Sequence, residues 1–72
     1  MREIVQTYTR DGYTFSLLFK RGNVAIYEQR KRDIVRYVTN KYSEKTSNCQ
    51  CFTYYTLEAA RRKAEELVNR NS

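Results

Sequence analysis

The amino-acid sequence predicts an α+β fold: a four-stranded antiparallel sheet, with a candidate fifth strand, and one C-terminal helix packed on one face. Three observations carry this expectation. Runs of β-favouring residues fill the first forty-two positions, the turn signals Asp11-Gly12 and Arg21-Gly22-Asn23 divide them, and Leu57, Ala60, Ala64, Leu67 and Val68 recur at helical spacing near the end. No period repeats and no Gly/Ser/Pro-rich stretch divides the 72 residues, so the chain reads as a single domain over 1–72.

The first strand is expected over residues 3–10, where Ile4, Gln6 and Tyr8 alternate with Val5, Thr7 and Thr9. Asp11-Gly12 closes it into a hairpin. Residues 13–20 form the second strand, with Tyr13, Phe15, Leu17 and Phe19 expected as one core-facing stripe. A turn at Arg21-Gly22-Asn23 leads into a third strand over 24–30, with Val24 and Ile26 on one side and Ala25 and Tyr27 on the other. Its register is open, because loops of two and three residues put opposite faces against the Phe15 stripe. The polar cluster Arg30-Lys31-Arg32-Asp33 connects to a fourth strand over 34–42. Residues 43–48 read as the longest loop, and residues 49–54 as the candidate short fifth strand. The helix is expected over 57–70, with Thr56 as N-cap and with Glu58/Arg62, Arg61/Glu65 and Glu66/Arg70 as pairs four apart.

Composition narrows the chemistry. Fourteen Lys and Arg stand against eight Asp and Glu, a formal charge of +6 with a pI near 9.6, and His, Trp and Pro are absent. Most catalytic triads and many metal centres are excluded on that ground. The carboxylates form no acid/base constellation: Asp11 belongs to its turn, Asp33 offsets the adjacent cations, and Glu28 pairs most simply across a strand. Cys49 and Cys51 are two residues apart, so a bridge between them closes a strained ring and reduced thiols are expected. They read as small strand residues, although a dimer could assemble four sulfurs. No metal, cofactor or enzymatic activity is therefore expected. The opening Met1-Arg2-Glu3-Ile4-Val5-Gln6 lacks the apolar stretch of a secretory signal, and no window approaches the roughly twenty apolar residues of a membrane span. The expectation is a cytoplasmic protein without membrane contact.

The charge is unevenly placed. From Thr56 onward four cations meet three carboxylates, whereas Lys20 to Lys45 holds eight cations against Glu28, Asp33 and Glu44. Tyrosines interleave with that excess. Lys and Arg neutralise phosphates while flat rings stack on bases of any identity, so the mixture predicts binding of single-stranded DNA or RNA. The expected site is Tyr27 and Tyr37 for stacking, with Arg30, Lys31, Arg32, Arg36 and Lys41 on phosphates. The bland alternative is that tyrosines favour strands anywhere and that +6 serves solubility. A second functional class fits the same residues: a protein interface, as a homodimer seam or a docking surface for an acidic partner, since Tyr and Arg also anchor interfaces.

The order of four strands and a helix in a short basic chain resembles the unit of PUR-repeat and Whirly-type single-stranded nucleic-acid-binding proteins. That resemblance implies a curved sheet that contacts bases and backbone, a central hairpin over Tyr13 to Tyr27, and pairing of two units. The phrase Phe52-Thr53-Tyr54-Tyr55-Thr56-Leu57-Glu58-Ala59-Ala60 is loosely similar to the strand-to-helix junction of phage-integrase arm-binding domains, which lay a sheet into the DNA major groove. Size and style together suit a phage or other mobile element.

Overall fold

The computed structural model describes residues 6–43, 45, 46 and 48–70, without the Arg70 side chain. The part of the first strand expected over residues 3–5 lies outside the described residues. Five strands follow one another as an antiparallel meander: β1 (Thr7–Arg10), β2 (Tyr13–Arg21), β3 (Val24–Lys31), β4 (Ile34–Tyr42) and β5 (Cys49–Tyr54). The helix α1 (Leu57–Arg70) completes the α+β arrangement. The candidate fifth strand is thus a full member of the sheet.

Local chemistry sets the turns. Asp11 and Gly12 both have positive φ, 55° and 82°, as a two-residue hairpin loop of the I′ kind requires. Between β2 and β3 the loop is Gly22-Asn23, and Arg21 pairs directly with Val24, which settles the open register. Asn23 also fastens this turn to the end of β4: its side-chain amide donates to the Tyr42 carbonyl at 2.6 Å, and its carbonyl accepts from the Tyr42 amide at 2.9 Å. The β3–β4 turn places Arg32 at φ 55°.

Cross-strand partners share a face, so the register assigns every side chain. Val24 and Ile26 of β3, Tyr37 and Thr39 of β4, and Phe52 and Tyr54 of β5 lie toward the helix, where they meet Ala60, Ala64, Leu67 and Val68. The two alanines let the helix approach closely, and the Thr39 hydroxyl donates to the Ala60 carbonyl at 2.8 Å. Thr56 caps the helix as expected, its Oγ1 accepting from the Ala59 amide at 3.2 Å. Arg62 reaches Glu58 at 2.7 Å, and Lys63 lies 4.4 Å above the Phe52 ring.

The expected stripe Tyr13/Phe15/Leu17/Phe19 is broken. A bulge between Leu17 and Phe19 leaves Leu18 as an extra residue, so Leu17 pairs with Tyr27 while Phe19 pairs with Ile26 on the helix side. Tyr13, Phe15 and Leu17 turn away from the helix, which packs over β3, β4 and β5 rather than over this stripe. The helix side of β1 and β2 is accordingly polar near the first turn, with Thr7, Thr9, Thr14 and Ser16.

Burial on the second face comes from the sheet's own curl. In a flat sheet β1 and β5 would stand roughly 19 Å apart. Tyr8 of β1 instead lines one trough together with Cys51 and Thr53 of β5. Its ring stacks on Phe15 at 4.6 Å and meets Tyr27 edge-on at 5.3 Å. Thus β3 is buried on both sides, by the helix at Val24 and Ile26 and by curled aromatics at Ala25 and Tyr27.

Candidate nucleic-acid interface

The curl turns the helix-free face into a trough of about 270 Å³, walled by Tyr8 and Phe15 on one side and by Cys51 and Thr53 on the other. Gln29, Val38 and Asn40 also line it, while Tyr27 is only 1% exposed. Burial, then the neighbouring Tyr42 and the hydrogen bond to it, pushes the Tyr27 hydroxyl well above the usual tyrosine range. Burial also raises Tyr8, assisted by Tyr42 and Cys51 and opposed by Arg10. Both shifts move ionisation farther above the ordinary value of 10.0, at which a phenol is already neutral at pH 7.

The seven residues singled out in the sequence do not form one patch. Alternation sends Tyr27, Lys31 and Arg36 to the trough side and Arg30, Tyr37 and Lys41 to the helix side, while Arg32 sits in the turn. Tyr27 has no open ring face to offer a base, because the β1–β2 aromatics cover it. Tyr37 is half-buried and packs against the helix–sheet core. Arg30 bonds Glu28 on its own strand at 3.2 Å, so Glu28 pairs along β3 rather than across it. Lys41 lies at the opposite end of the sheet in a shallow cleft of about 680 Å³ with Lys45, Asn23 and Gln50.

What the register does bring together is a row along the trough's near end: Arg10, Tyr13, Lys31, Arg36 and Tyr55. Arg10 pairs with Tyr13, and the Lys31 ammonium lies 5.1 Å from the Tyr13 ring centre. Gly12 beside it is held at φ 82°, and the Lys31 stem passes at ordinary contact distance from where a Cβ would stand. Farther along, the Arg36 guanidinium stands 5.5 Å from the ring of Tyr55, which is 79% exposed. The turn residues Asp11 and Asp33 flank the row; Asp11 draws Arg10 at 3.8 Å in an exposed pair, which is weak in water. Among the described residues, two buried polar atoms on this side have no hydrogen-bond partner, Arg36 Nε and Asn40 Oδ1. Asn40 lines the trough and spends its amide on the Tyr42 hydroxyl at 3.3 Å, leaving an acceptor oriented by its own donor's bond.

Arg10, Tyr13 and Tyr55 stand outside the site expected from the sequence: Arg10 ends a strand, Tyr13 reads as part of an apolar stripe, and Tyr55 falls at the junction between β5 and the helix. The signal for the first two is the Asp11-Gly12 turn, which fixes Arg10 opposite Tyr13. Among the described residues no three His, Cys, Asp or Glu gather as a metal site, and no helix is long and apolar enough to cross a membrane. The chain matches no family model, no curated protein and no solved structure.

Proposed function

We propose that this protein binds single-stranded nucleic acid across the near end of the helix-free face and acts by binding rather than by catalysis. The observation that supports this most directly is the placing of cations beside ring faces on one side of the sheet, Arg10 and Lys31 at Tyr13 and Arg36 at Tyr55. Charges held beside ring faces suit a strand that carries a phosphate beside every base. Phosphate contacts make such binding salt-sensitive, and stacking makes it tolerant of sequence.

The test is fluorescence anisotropy of a labelled oligonucleotide titrated at two salt concentrations. Lys31→Ala should weaken binding and lower the log–log salt slope by roughly 0.7, the single-strand value per phosphate. Tyr55→Ala should cost about 1–3 kcal/mol with little change in slope. Arg61→Ala, on the exposed helix surface, should change neither. Binding no tighter than millimolar at low salt, or equal losses in all three variants, would sink the proposal.

A second reading is favoured by one residue, Ile34, which lies within the row beside Lys31 and is 46% exposed. An apolar side chain among cations suits an acidic protein surface as the partner. In that case Ile34→Asp would abolish capture of the partner, and oligonucleotides would not compete for the face.

A further inference from the structure

We infer that β5 carries half of a zinc site, and that two copies of this chain complete it by pairing their β5 edges. Cys49 and Cys51 are not joined in a disulfide, and their sulfurs stand 3.6 Å apart on the trough side. Two thiolates on one tetrahedral zinc, each at ~2.3 Å, stand ~3.8 Å apart, so the pair is already spaced as two ligands of one ion. Closing a disulfide is harder. Positions i and i+2 of an extended strand are about 6.6 Å apart along the chain, and a bridge requires Cβ atoms within roughly 4.5 Å.

No third His, Cys, Asp or Glu joins the pair to make a metal site among the described residues, so these supply two of the four ligands of a closed site. The edge on which the pair lies shows where the other two ligands would come from. β5 ends the sheet, pairs with β4 without a bulge, and reads Cys-Gln-Cys-Phe-Thr-Tyr with no charge and no proline. Edge strands are normally guarded by such features. The opposite edge, β1, is shorter and ends in Arg10.

A twofold axis through Gln50 sets Cys49 opposite Cys51 of the second copy, and Cys51 opposite its Cys49. Directly opposed residues point to the same face about 4.5–5.5 Å apart, so all four sulfurs gather on one side. The axis works with either hydrogen-bonding parity of Gln50, because both parities keep the 49/51 pairing. Four thiols each release a proton on binding, and the resulting tetrathiolate zinc carries two negative charges, which a pair of chains each at +6 attracts.

The reduced protein is titrated with Zn²⁺, and with Co²⁺ as a spectroscopic probe, while metal content and mass in solution are followed. One metal per two chains and a dimeric mass are expected, with the thiolate-to-cobalt absorption of a four-sulfur site. Cys51→Ser should abolish both metal and dimer. Gln50→Glu is the decisive variant: it keeps every sulfur and gains Lys41 as its cross-strand neighbour, yet sets two carboxylates opposite each other on the axis. Zinc affinity should fall at least tenfold and the protein should remain monomeric and folded by circular dichroism. Gln50→Lys, which also opposes like charges, gives the same reading should the first variant fold poorly. Zinc bound one per monomer, no zinc binding tighter than micromolar, or a Gln50→Glu protein that dimerises with zinc unchanged would each overturn the inference.

Discussion

At the scale of the residue, Tyr27 shows how position overrides type. A tyrosine among cations reads in the sequence as a stacking platform; here it is the largest fully buried side chain, and its hydroxyl is bonded to Tyr42. Folding therefore favours its protonated form, with a pKa raised above the ordinary 10.0. Above pH 10 the unfolded chain loses this proton while the folded chain keeps it, so stability present at neutral pH declines as pH rises toward the folded value. Thermal melts should show Tm falling above about pH 10, and Tyr27→Phe should flatten that fall while costing about 1 kcal/mol at pH 7 for the lost hydrogen bond. The charge cluster at 30–32 was legible as basic, but strand alternation, invisible without register, separates Arg30 from Lys31 onto opposite faces.

At the scale of the element, the helix and turns were the most legible parts, because each depends on residues close in sequence. Thr56 is a local signal with a local effect, and Thr56→Ala should cost about 1 kcal/mol, a Tm lower by roughly 4–8 °C in a calorimetric melt. The face that β3 offers the helix was not legible. Val24/Ile26 and Ala25/Tyr27 are both apolar pairs, and a strand covered on both sides loses the alternation that would mark its inner face. The small side chains Ala60 and Ala64 decide it by letting the helix settle on Val24 and Ile26. Ala64→Leu should therefore overpack that contact and destabilise by about 1–3 kcal/mol, measured by urea denaturation.

At the scale of the whole molecule, one sheet supports two small cores on opposite sides, offset across its width: the helix over β3 to β5 and the curled β1–β2 aromatics over β3. The offset leaves uncovered the end of the trough-side face near the first turn, where Arg10, Lys31 and Arg36 stand, while its centre closes. The offset depends on Leu18. It is the surplus residue of the β2 bulge, 46% exposed, and its neighbours Leu17 and Phe19 already pair with the consecutive residues Tyr27 and Ile26. Deleting Leu18 would leave every cross-strand partner and every face in place, whereas a one-residue deletion in a strand without a bulge turns all the side chains beyond it to the other face. The one-residue deletion should fold, straighten the ribbon and lift Tyr8 off Tyr27, returning the Tyr8 phenol toward its ordinary titration. Leu18 is thus a spacer: its side chain is replaceable, while its length of backbone sets how far the hairpin bends. Shortening and lengthening at this point should tune the width of the trough without rewriting the core.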